Sequence, residues 1–320
     1  MTDLPRSVEI SEEGPREGFQ FEKGVIPTER KIELIEALAG TGLRTIQAVS
    51  FVNPARVPGW ADADAVTDGL RPREGVAYTA LWLNEKGLRR ALEHRHHLTI
   101  RGSISLCASE TFMRRNQNRG FEENLAVQAR QIAICKAKGM PVEPISVMAA
   151  FGCNFEGDVP VARVLEVVES GFALAAEHDV RIGTVALADT MAWATPMQIR
   201  RVVGAVRERW PEARISLHLH DTRGQGIACA YAGLEMGIDH FDASVAGLGG
   251  CPFAGHKGAA GNVCTEDLAF MCEEMGIATG IDLERLIEVA TLAEDVVGHP
   301  LPGSVMHGGS LRRFRENRAA

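Results

Sequence analysis

The chain has 320 residues and a formal net charge of -8 at pH 7, with 34 basic and 42 acidic side chains. An acidic balance argues against general attraction to nucleic acid or to an anionic membrane surface, so an anionic ligand would need a local basic patch. No apolar run approaches the roughly 20 residues that span a bilayer, and the opening MTDLPRSVEI lacks the order of a secretory signal. The seven cysteines are scattered singly, which is typical of free thiols in a reducing compartment, and we expect a cytoplasmic protein.

Short runs rich in Val, Ile, Ala and Thr alternate with amphipathic stretches along the chain. This alternation is typical of repeated βα units around a parallel sheet. Strands are predicted at residues 8–13, 45–51, 76–82, 98–104, 142–150, 181–189, 214–221 and 241–246. Helices are predicted at residues 28–39, 62–70, 85–94, 121–138, 160–177, 196–207, 225–236 and 265–275.

Eight units of this kind predict an α/β fold that closes as a (β/α)8 TIM barrel. A further helical stretch at residues 282–297 and the arginine-rich tail LRRFRENRAA should lie outside the barrel. We expect one catalytic domain over residues 1–320, in which residues 282–320 form a C-terminal extension. The sequence shows no low-complexity linker that would divide it.

Polar residues cluster at the predicted carboxyl ends of the strands, where barrel enzymes of this type work. His218 and His220 alternate at the end of the seventh strand, so both side chains project the same way and can hold one metal ion. A His-x-His pattern on a strand is more often structural, but its place at a strand end favours a metal site. The other polar residues expected at this end are Arg16, Glu17, Gln47, Asp189 and Cys251.

Four motifs carry a family resemblance: GPREGFQFEKG at 14–24, HLHD at 218–221, SVAGLGGCPFAG at 244–255 and GN at 261–262. Together they resemble the 3-hydroxy-3-methylglutaryl-CoA lyase family, over nearly the whole chain. The resemblance implies a metal-dependent TIM-barrel lyase whose metal ligands would be Glu17, His218, His220 and Asn262. Mixed oxygen and imidazole donors suit Mg²⁺ or Mn²⁺, and no Cys₄ or Cys₂His₂ pattern favours zinc.

The chain departs from the family pattern at three places. The family typically carries Asp where Glu17 follows the arginine, and usually carries Glu where Gln47 stands in the second strand. One carboxylate is therefore lengthened and another is neutralised. The run CPFAGHKGAAGN between Cys251 and Asn262 is also longer than the usual version, which bears on substrate specificity.

The implied chemistry is carbon–carbon cleavage of a 3-hydroxyacyl thioester by a retro-Claisen-type step, with 3-hydroxy-3-methylglutaryl-CoA giving acetyl-CoA and acetoacetate. A coordinated cation lowers the pKa of the substrate alcohol, and Arg16 would stabilise negative charge on the thioester oxygen. Cys251, flanked by glycines, could protonate the enolate, although a lone cysteine is usually a small buried residue. Asp189 could orient a histidine or the bound hydroxyl, or equally cap the next helix.

The segment ASETFMRRNQNRG at 108–120 is the candidate binding region for the CoA moiety. Arg114, Arg115 and Asn116 are its predicted contacts, because clustered guanidiniums pair with phosphates, although a solvated loop fits the same sequence. Lys23 matches a lysine of the family and could lie near the thioester. The resemblance also implies a homo-oligomer, a dimer or larger, with no nucleic-acid or membrane partner.

Three other functions fit the same residues. The enzyme could cleave a related ester such as citramalyl-CoA. A condensing synthase of the isopropylmalate type uses a related barrel, but usually carries a large C-terminal domain for which no chain remains after residue 297. A non-catalytic protein that binds CoA esters would be recognised by loss of metal binding.

Overall fold

The computed structural model describes residues 4–22, 24–250, 261–312 and 314–315, and this part of the chain contains eight strands and twelve α-helices. The strands are β1 (Glu9–Glu12), β2 (Thr45–Ser50), β3 (Ala77–Leu81), β4 (Gly102–Cys107), β5 (Val142–Met148), β6 (Thr184–Ala188), β7 (Arg214–His218) and β8 (His240–Ala243). The helices are α1 (Gly14–Phe21), α2 (Thr28–Ala39), α3 (Ala63–Gly69), α4 (Glu85–Glu93), α5 (Glu110–Gln117), α6 (Phe121–Ala137), α7 (Val161–Glu177), α8 (Pro196–Arg209), α9 (Gly226–Glu235), α10 (Thr265–Glu274), α11 (Leu283–Val297) and α12 (Ser304–Gly308).

All eight strands form one parallel sheet in the order β3-β2-β1-β8-β7-β6-β5-β4. Apart from β3 and β4, which stand at the two ends of this order, each strand therefore pairs with its neighbours in sequence, and β8 pairs with β1, as a barrel requires. The predicted TIM-barrel fold is confirmed. The largest displacement is at the fourth strand, which was predicted at 98–104 and begins at Gly102, because the apolar run before it is a connecting segment.

The two faces of the sheet differ in polarity. Residues that face the outer helices are apolar and fully buried, as Ile46, Ile104 and Leu217 illustrate. Residues that face the inside of the barrel are mostly small and polar, and they line a cavity of about 670 Å³. The inner hydroxyl groups come from the strands β1 to β7: Ser11, Thr45, Thr79, Ser103, Ser105, Ser146, Thr184 and Ser216.

The barrel has a seam between β3 and β4, so the expectation of a fully closed ladder is wrong at this place. Within the described residues, a backbone hydrogen bond from Thr99 to Tyr78 (2.7 Å) joins the start of this seam, and no ladder pairs the two strands. Amide side chains of α6 replace the missing neighbour. Ser105 donates its N–H to Gln128 (2.9 Å), and its carbonyl accepts from Asn124 (2.8 Å). The edge of β4 therefore remains hydrogen-bonded without β3.

Four helices lie outside the simple βα repeat. The C-terminal helical segment is present: α11 packs against α2 and α10, and Arg30 of α2 pairs with Asp295 of α11. Neither α1 nor α5 was predicted, because GPREGFQF combines two glycines with a proline and ETFMRRNQ is strongly polar. None of the described helices combines the length and apolar character needed to cross a membrane.

We expect Gln128→Met to lower the free energy of unfolding by about 1–3 kcal/mol, because the Ser105 N–H then lies buried without an acceptor. Urea denaturation followed by circular dichroism measures this change. Gln131→Met is the matched control, since its bond to the Leu83 carbonyl (3.1 Å) is exposed to water, and its effect should stay within about 0.5 kcal/mol. Equal effects of the two substitutions would show that the seam does not depend on Gln128.

Candidate active site at the carboxyl ends of the strands

The first catalytic candidates lie in the first turn of α1, directly after β1. The helix can begin there because Pro15 suits a first-turn position, and because a side chain at Gly14 would come within 2.5 Å of the Glu12 carboxylate. Arg16 and Glu17 are both buried, at 9% and 7% exposure. Sequence analysis placed these two residues just after the strand, which the structure confirms, but in a helix rather than a loop.

Glu17, His218 and His220 converge on one point, with potential ligand atoms that all lie within 4.8 Å of one another. The Glu17 Oε1 atom is 3.8 Å from His218 Nε2, and Glu17 Oε2 is 4.0 Å from His220 Nε2. His218 is the last residue of β7, and His220 lies two residues beyond it. The alternation predicted for this strand therefore brings both rings to the same carboxylate.

Each histidine ring is oriented through its other nitrogen. His218 Nδ1 hydrogen-bonds Asp242 Oδ2 (3.0 Å), and His220 Nδ1 hydrogen-bonds the Asp189 carbonyl (2.9 Å). Both Nε2 atoms are thereby left facing Glu17. Metal-binding histidines are generally held in this way, with the second nitrogen bonded to a carboxylate or a carbonyl.

Asn262 reaches the same place through the backbone. The segment around it pairs with the segment after β7, so that His220 and Asn262 form an isolated β-bridge. The Asn262 side chain is fully buried, and neither its oxygen nor its nitrogen has a hydrogen-bond partner among the described residues; the same is true of Glu17 Oε2. Buried polar atoms are rarely left without partners. The unpartnered oxygens of Asn262 and Glu17 therefore fit the ligand set of a bound cation.

Arg16 is held by three side chains. Its Nε donates to the Gln47 oxygen, its Nη2 donates to Glu13, and its Nη1 lies 2.8 Å from Glu17 Oε1. The backbone carbonyl of Arg16 accepts the indole N–H of the fully buried Trp60 (2.8 Å). Both ends of the residue are thus fixed.

The buried charges shift each other's pKa. Burial would raise the pKa of Glu17, but Arg16 and the two histidines outweigh it and lower that pKa to about 2. Burial would lower the pKa of His218, but the hydrogen bond with Asp242 and the nearby glutamates raise it to about 9. For His220, burial and the neighbouring His218 lower the pKa to about 4. Near neutral pH without metal, the trio therefore comprises a carboxylate, an imidazolium and a neutral imidazole.

Asp189 acts mainly through its backbone. Its carboxylate accepts the N–H groups of Trp193 (2.7 Å) and Ala194 (3.0 Å), ahead of α8, while its carbonyl orients His220. Of the two roles considered from sequence, the contact with a histidine is present, whereas the N-cap of α8 is Thr195, whose side chain accepts the Gln198 N–H. The orienting contact is made by the main chain, which a side-chain pattern does not reveal.

The predicted CoA contacts Arg114, Arg115 and Asn116 lie exposed on α5, at the same end of the barrel as the histidines. Arg114 pairs with Glu110 (2.8 Å), and the guanidinium of Arg115 stacks over Phe155 at 4.4 Å. Two further predicted site residues, Cys251 and Lys23, lie outside the described residues.

Four further residues shape this site and were not predicted from the sequence. Glu13 and Asp242 touch Arg16 and His218, Trp60 holds the Arg16 backbone, and the fully buried Glu12 accepts hydrogen bonds from Gly14 (2.7 Å), Val245 (3.0 Å) and Thr265 (2.7 Å). Two adjacent acids at the end of an apolar strand were the available signal for Glu12 and Glu13. Nothing in the sequence pattern pointed to Trp60.

Comparison with known proteins places the chain in a family. The HMGL-like family profile matches residues 7–293. The chain belongs to the HMGL-like family. It is 39% identical over 298 residues to hydroxymethylglutaryl-CoA lyase YngG of Bacillus subtilis, covering 93% of this chain and 96% of that protein. It is 38% identical to the mitochondrial hydroxymethylglutaryl-CoA lyase of Gallus gallus, covering 90% and 93% of the two chains.

Solved structures of family members share the whole fold. The hydroxymethylglutaryl-CoA lyase of Pseudomonas aeruginosa superposes with a TM-score of 0.87 at 35% identity, covering 95% of this chain and 98% of that one. An HMG-CoA lyase of Acinetobacter baumannii, in complex with coenzyme A and 3-methylmalate, gives 0.85 at 36% identity, covering 97% of each chain. As a member of this metal-dependent family, the protein is a carbon–carbon lyase.

We expect binding of a divalent ion near neutral pH to release about one proton, because His218, with its pKa raised to about 9, must lose its proton to become a ligand. His220 and Glu17 are already in their ligand forms, since their pKa values are lowered to about 4 and about 2. Metal affinity should therefore fall as the pH drops below about 9. Calorimetry in two buffers of different ionisation enthalpy measures the release. His218→Gln should abolish it, whereas release that persists in this variant would assign the proton to another group.

Proposed function

We propose that this protein cleaves 3-hydroxy-3-methylglutaryl-CoA to acetyl-CoA and acetoacetate. The observation that carries the proposal is the convergence of Glu17, His218 and His220 within 4.8 Å, with Arg16 bonded to the same glutamate. A cation-binding trio beside a fixed guanidinium is the arrangement that a retro-Claisen cleavage needs. The family relatives are named for this reaction.

The proposed metal ligands are Glu17, His218, His220 and Asn262, and the proposed ion is Mg²⁺ or Mn²⁺. The donors are two oxygens and two imidazole nitrogens, which is a set for a hard or borderline divalent ion rather than for structural zinc. The unpartnered atoms of Glu17 and Asn262 support this assignment. When bound, such an ion would polarise the substrate hydroxyl and so assist loss of its proton.

Arg16 is the proposed electrostatic catalyst. When the carbon–carbon bond breaks, negative charge moves to the thioester carbonyl oxygen, and a guanidinium held in place stabilises that charge. Gln47 orients this guanidinium by accepting the Arg16 Nε–H. Asp189 acts one step further away, because its carbonyl fixes the ring of His220. For Cys251 we propose protonation of the enolate.

The CoA moiety is proposed to lie along α5. Arg114, Arg115 and Asn116 are exposed on this helix, which directly follows β4 at the carboxyl end of the barrel. Arg114 and Arg115 can pair with phosphate oxygens, and Lys23 is proposed to lie near the thioester. The homologous Acinetobacter structure with coenzyme A supports an acyl-CoA substrate. We further propose a cytoplasmic homo-oligomer.

Mass-spectrometric product analysis tests the reaction directly. We expect the protein with Mn²⁺ or Mg²⁺ to convert 3-hydroxy-3-methylglutaryl-CoA to equal amounts of acetyl-CoA and acetoacetate, and a chelator to stop the conversion. Citramalyl-CoA in a parallel incubation reports on the related substrate. Cleavage of that ester alone would assign a different substrate, and absence of both reactions with metal present would refute the proposed lyase activity.

We expect Glu17→Gln to weaken divalent-metal binding by at least about tenfold and to lower kcat in parallel, because an anionic donor is lost. Calorimetric titration gives the affinity, and product formation gives the rate. Glu22→Gln is the matched control at the other end of α1, where the carboxylate bonds His299 (2.9 Å). Unchanged metal affinity and kcat in Glu17→Gln would remove this residue from the site.

A further inference from the structure

We infer that Glu13 is the positioning residue that fixes the Arg16 guanidinium for catalysis, and that it shares this task with Gln47 in an interchangeable way. The inference rests on the proposed function, since it concerns the group that meets the developing charge. Glu13 is not among the catalytic and metal-binding residues proposed above. It precedes α1 by one residue and is buried, at 9% exposure.

The contacts of Arg16 divide its donors between three partners. A guanidinium has five N–H bonds in a rigid plane. Gln47 takes the Nε–H, Glu13 takes one bond of Nη2, and Glu17 takes one bond of Nη1. One N–H bond on each Nη atom then remains without an acceptor among the described residues. These two donors are the ones available to a substrate oxygen.

Glu13 is the carboxyl partner that Arg16 keeps when the metal site is in use, and burial raises the pKa of Glu13 to about 7 although Arg16 opposes this shift. Glu17 also faces His218 and His220, and its second oxygen has no partner within the described chain, so it is committed to the cation. Glu13 is less committed: His218 Nδ1 lies 3.8 Å from its Oε2, and that ring already bonds Asp242 at 3.0 Å. Without Glu13, the guanidinium is held by Gln47 and Glu17 alone, and its Nη2 atom loses its fixed direction.

Glu13 and Gln47 approach the same guanidinium from neighbouring parts of the sheet. Glu13 follows β1, Gln47 lies in β2, and the two strands pair in register. Both side chains have the same length, and they differ only in that one is charged and the other is neutral. An interchange of the two therefore keeps one carboxylate and one amide on Arg16, with the same reach and the same total charge.

This equivalence defines the experiment. Four proteins are compared in metal-saturated turnover of 3-hydroxy-3-methylglutaryl-CoA: wild type, E13Q, Q47E and the double variant E13Q/Q47E. E13Q should lower kcat roughly 10- to 100-fold while KM changes less than about threefold, because the carboxyl partner of Arg16 Nη2 is replaced by an amide oxygen, which is a weaker acceptor and positions Arg16 less firmly in the transition state. Q47E should lower kcat by less, since it adds a second carboxylate beside the developing negative charge. The double variant should recover kcat to within about fivefold of wild type.

The matched control is the neighbouring buried glutamate, Glu12, which contacts Val245 and Thr265 and not Arg16. If E12Q lowers the rate, the added substitution Q47E should not restore it. Rescue by Q47E should therefore be specific to the variant at position 13. Metal affinity is measured by calorimetry in each variant, so that turnover is compared with the metal site saturated. A merely structural role of Glu13 would predict no rescue by a change on another strand.

A second readout does not depend on substrate. In ¹⁵N-arginine spectra, a bonded and buried Nε–H gives a resonance that exchanges slowly with water. We expect the Arg16 resonance, assigned with Arg16→Lys, to shift and to exchange faster in E13Q, and to regain slow exchange in the double variant. If the wild-type protein cleaves no ester, the proposed function fails. These spectra then decide on their own whether Glu13 positions Arg16.

Two results would overturn the inference: kcat of E13Q within twofold of wild type with an unchanged Arg16 resonance, or a double variant no faster than E13Q. If E13Q does not fold, the double variant is compared directly with wild type. Because it retains one carboxylate on Arg16, it should fold and turn over near the wild-type rate. If the double variant does not fold, or turns over much more slowly than wild type, the inference that Glu13 and Gln47 are interchangeable is contradicted.

Discussion

The structure of this site depends on the burial of a permanently charged arginine. Arg16 cannot give up its proton in a protein, so its charge must be balanced where it lies. Glu13 and Glu17 supply that balance, and Gln47 completes it without adding charge. Removal of one partner from a buried charged group costs about 3–5 kcal/mol, which makes the first turn of α1 sensitive to substitution at each of these positions.

The same arginine couples the metal site to the sheet. Glu17 serves both Arg16 and the two histidines, so any displacement of the guanidinium is felt by the ligand set. The histidine rings are restrained independently, by Asp242 on β8 and by the backbone of Asp189 after β6. The two strands that flank β7 therefore position the two histidines at its end. This arrangement explains why the candidate ligands lie at the carboxyl ends of several strands and not in one loop.

Much of this could be predicted from sequence, because the strong signals are local. The alternation of apolar runs gave the βα order, and the spacing of His218 and His220 gave their shared direction. The seam between β3 and β4 could not be predicted, since it depends on Asn124 and Gln128 of α6 replacing a strand, and amides on a helix usually face water. Glu13 and Asp242 were missed for a related reason. Their roles arise from contacts across strands, which one sequence does not show.

The amide-lined seam also determines how the barrel can deform. Elsewhere, widening the sheet would require breaking the row of backbone hydrogen bonds between two paired strands, and these bonds break cooperatively. Between β3 and β4, Asn124 and Gln128 bond β4 to α6 and not to β3. The barrel thus resembles a split ring more than a closed ring. The gap between β3 and β4 is the place where the described sheet could widen without breaking a ladder.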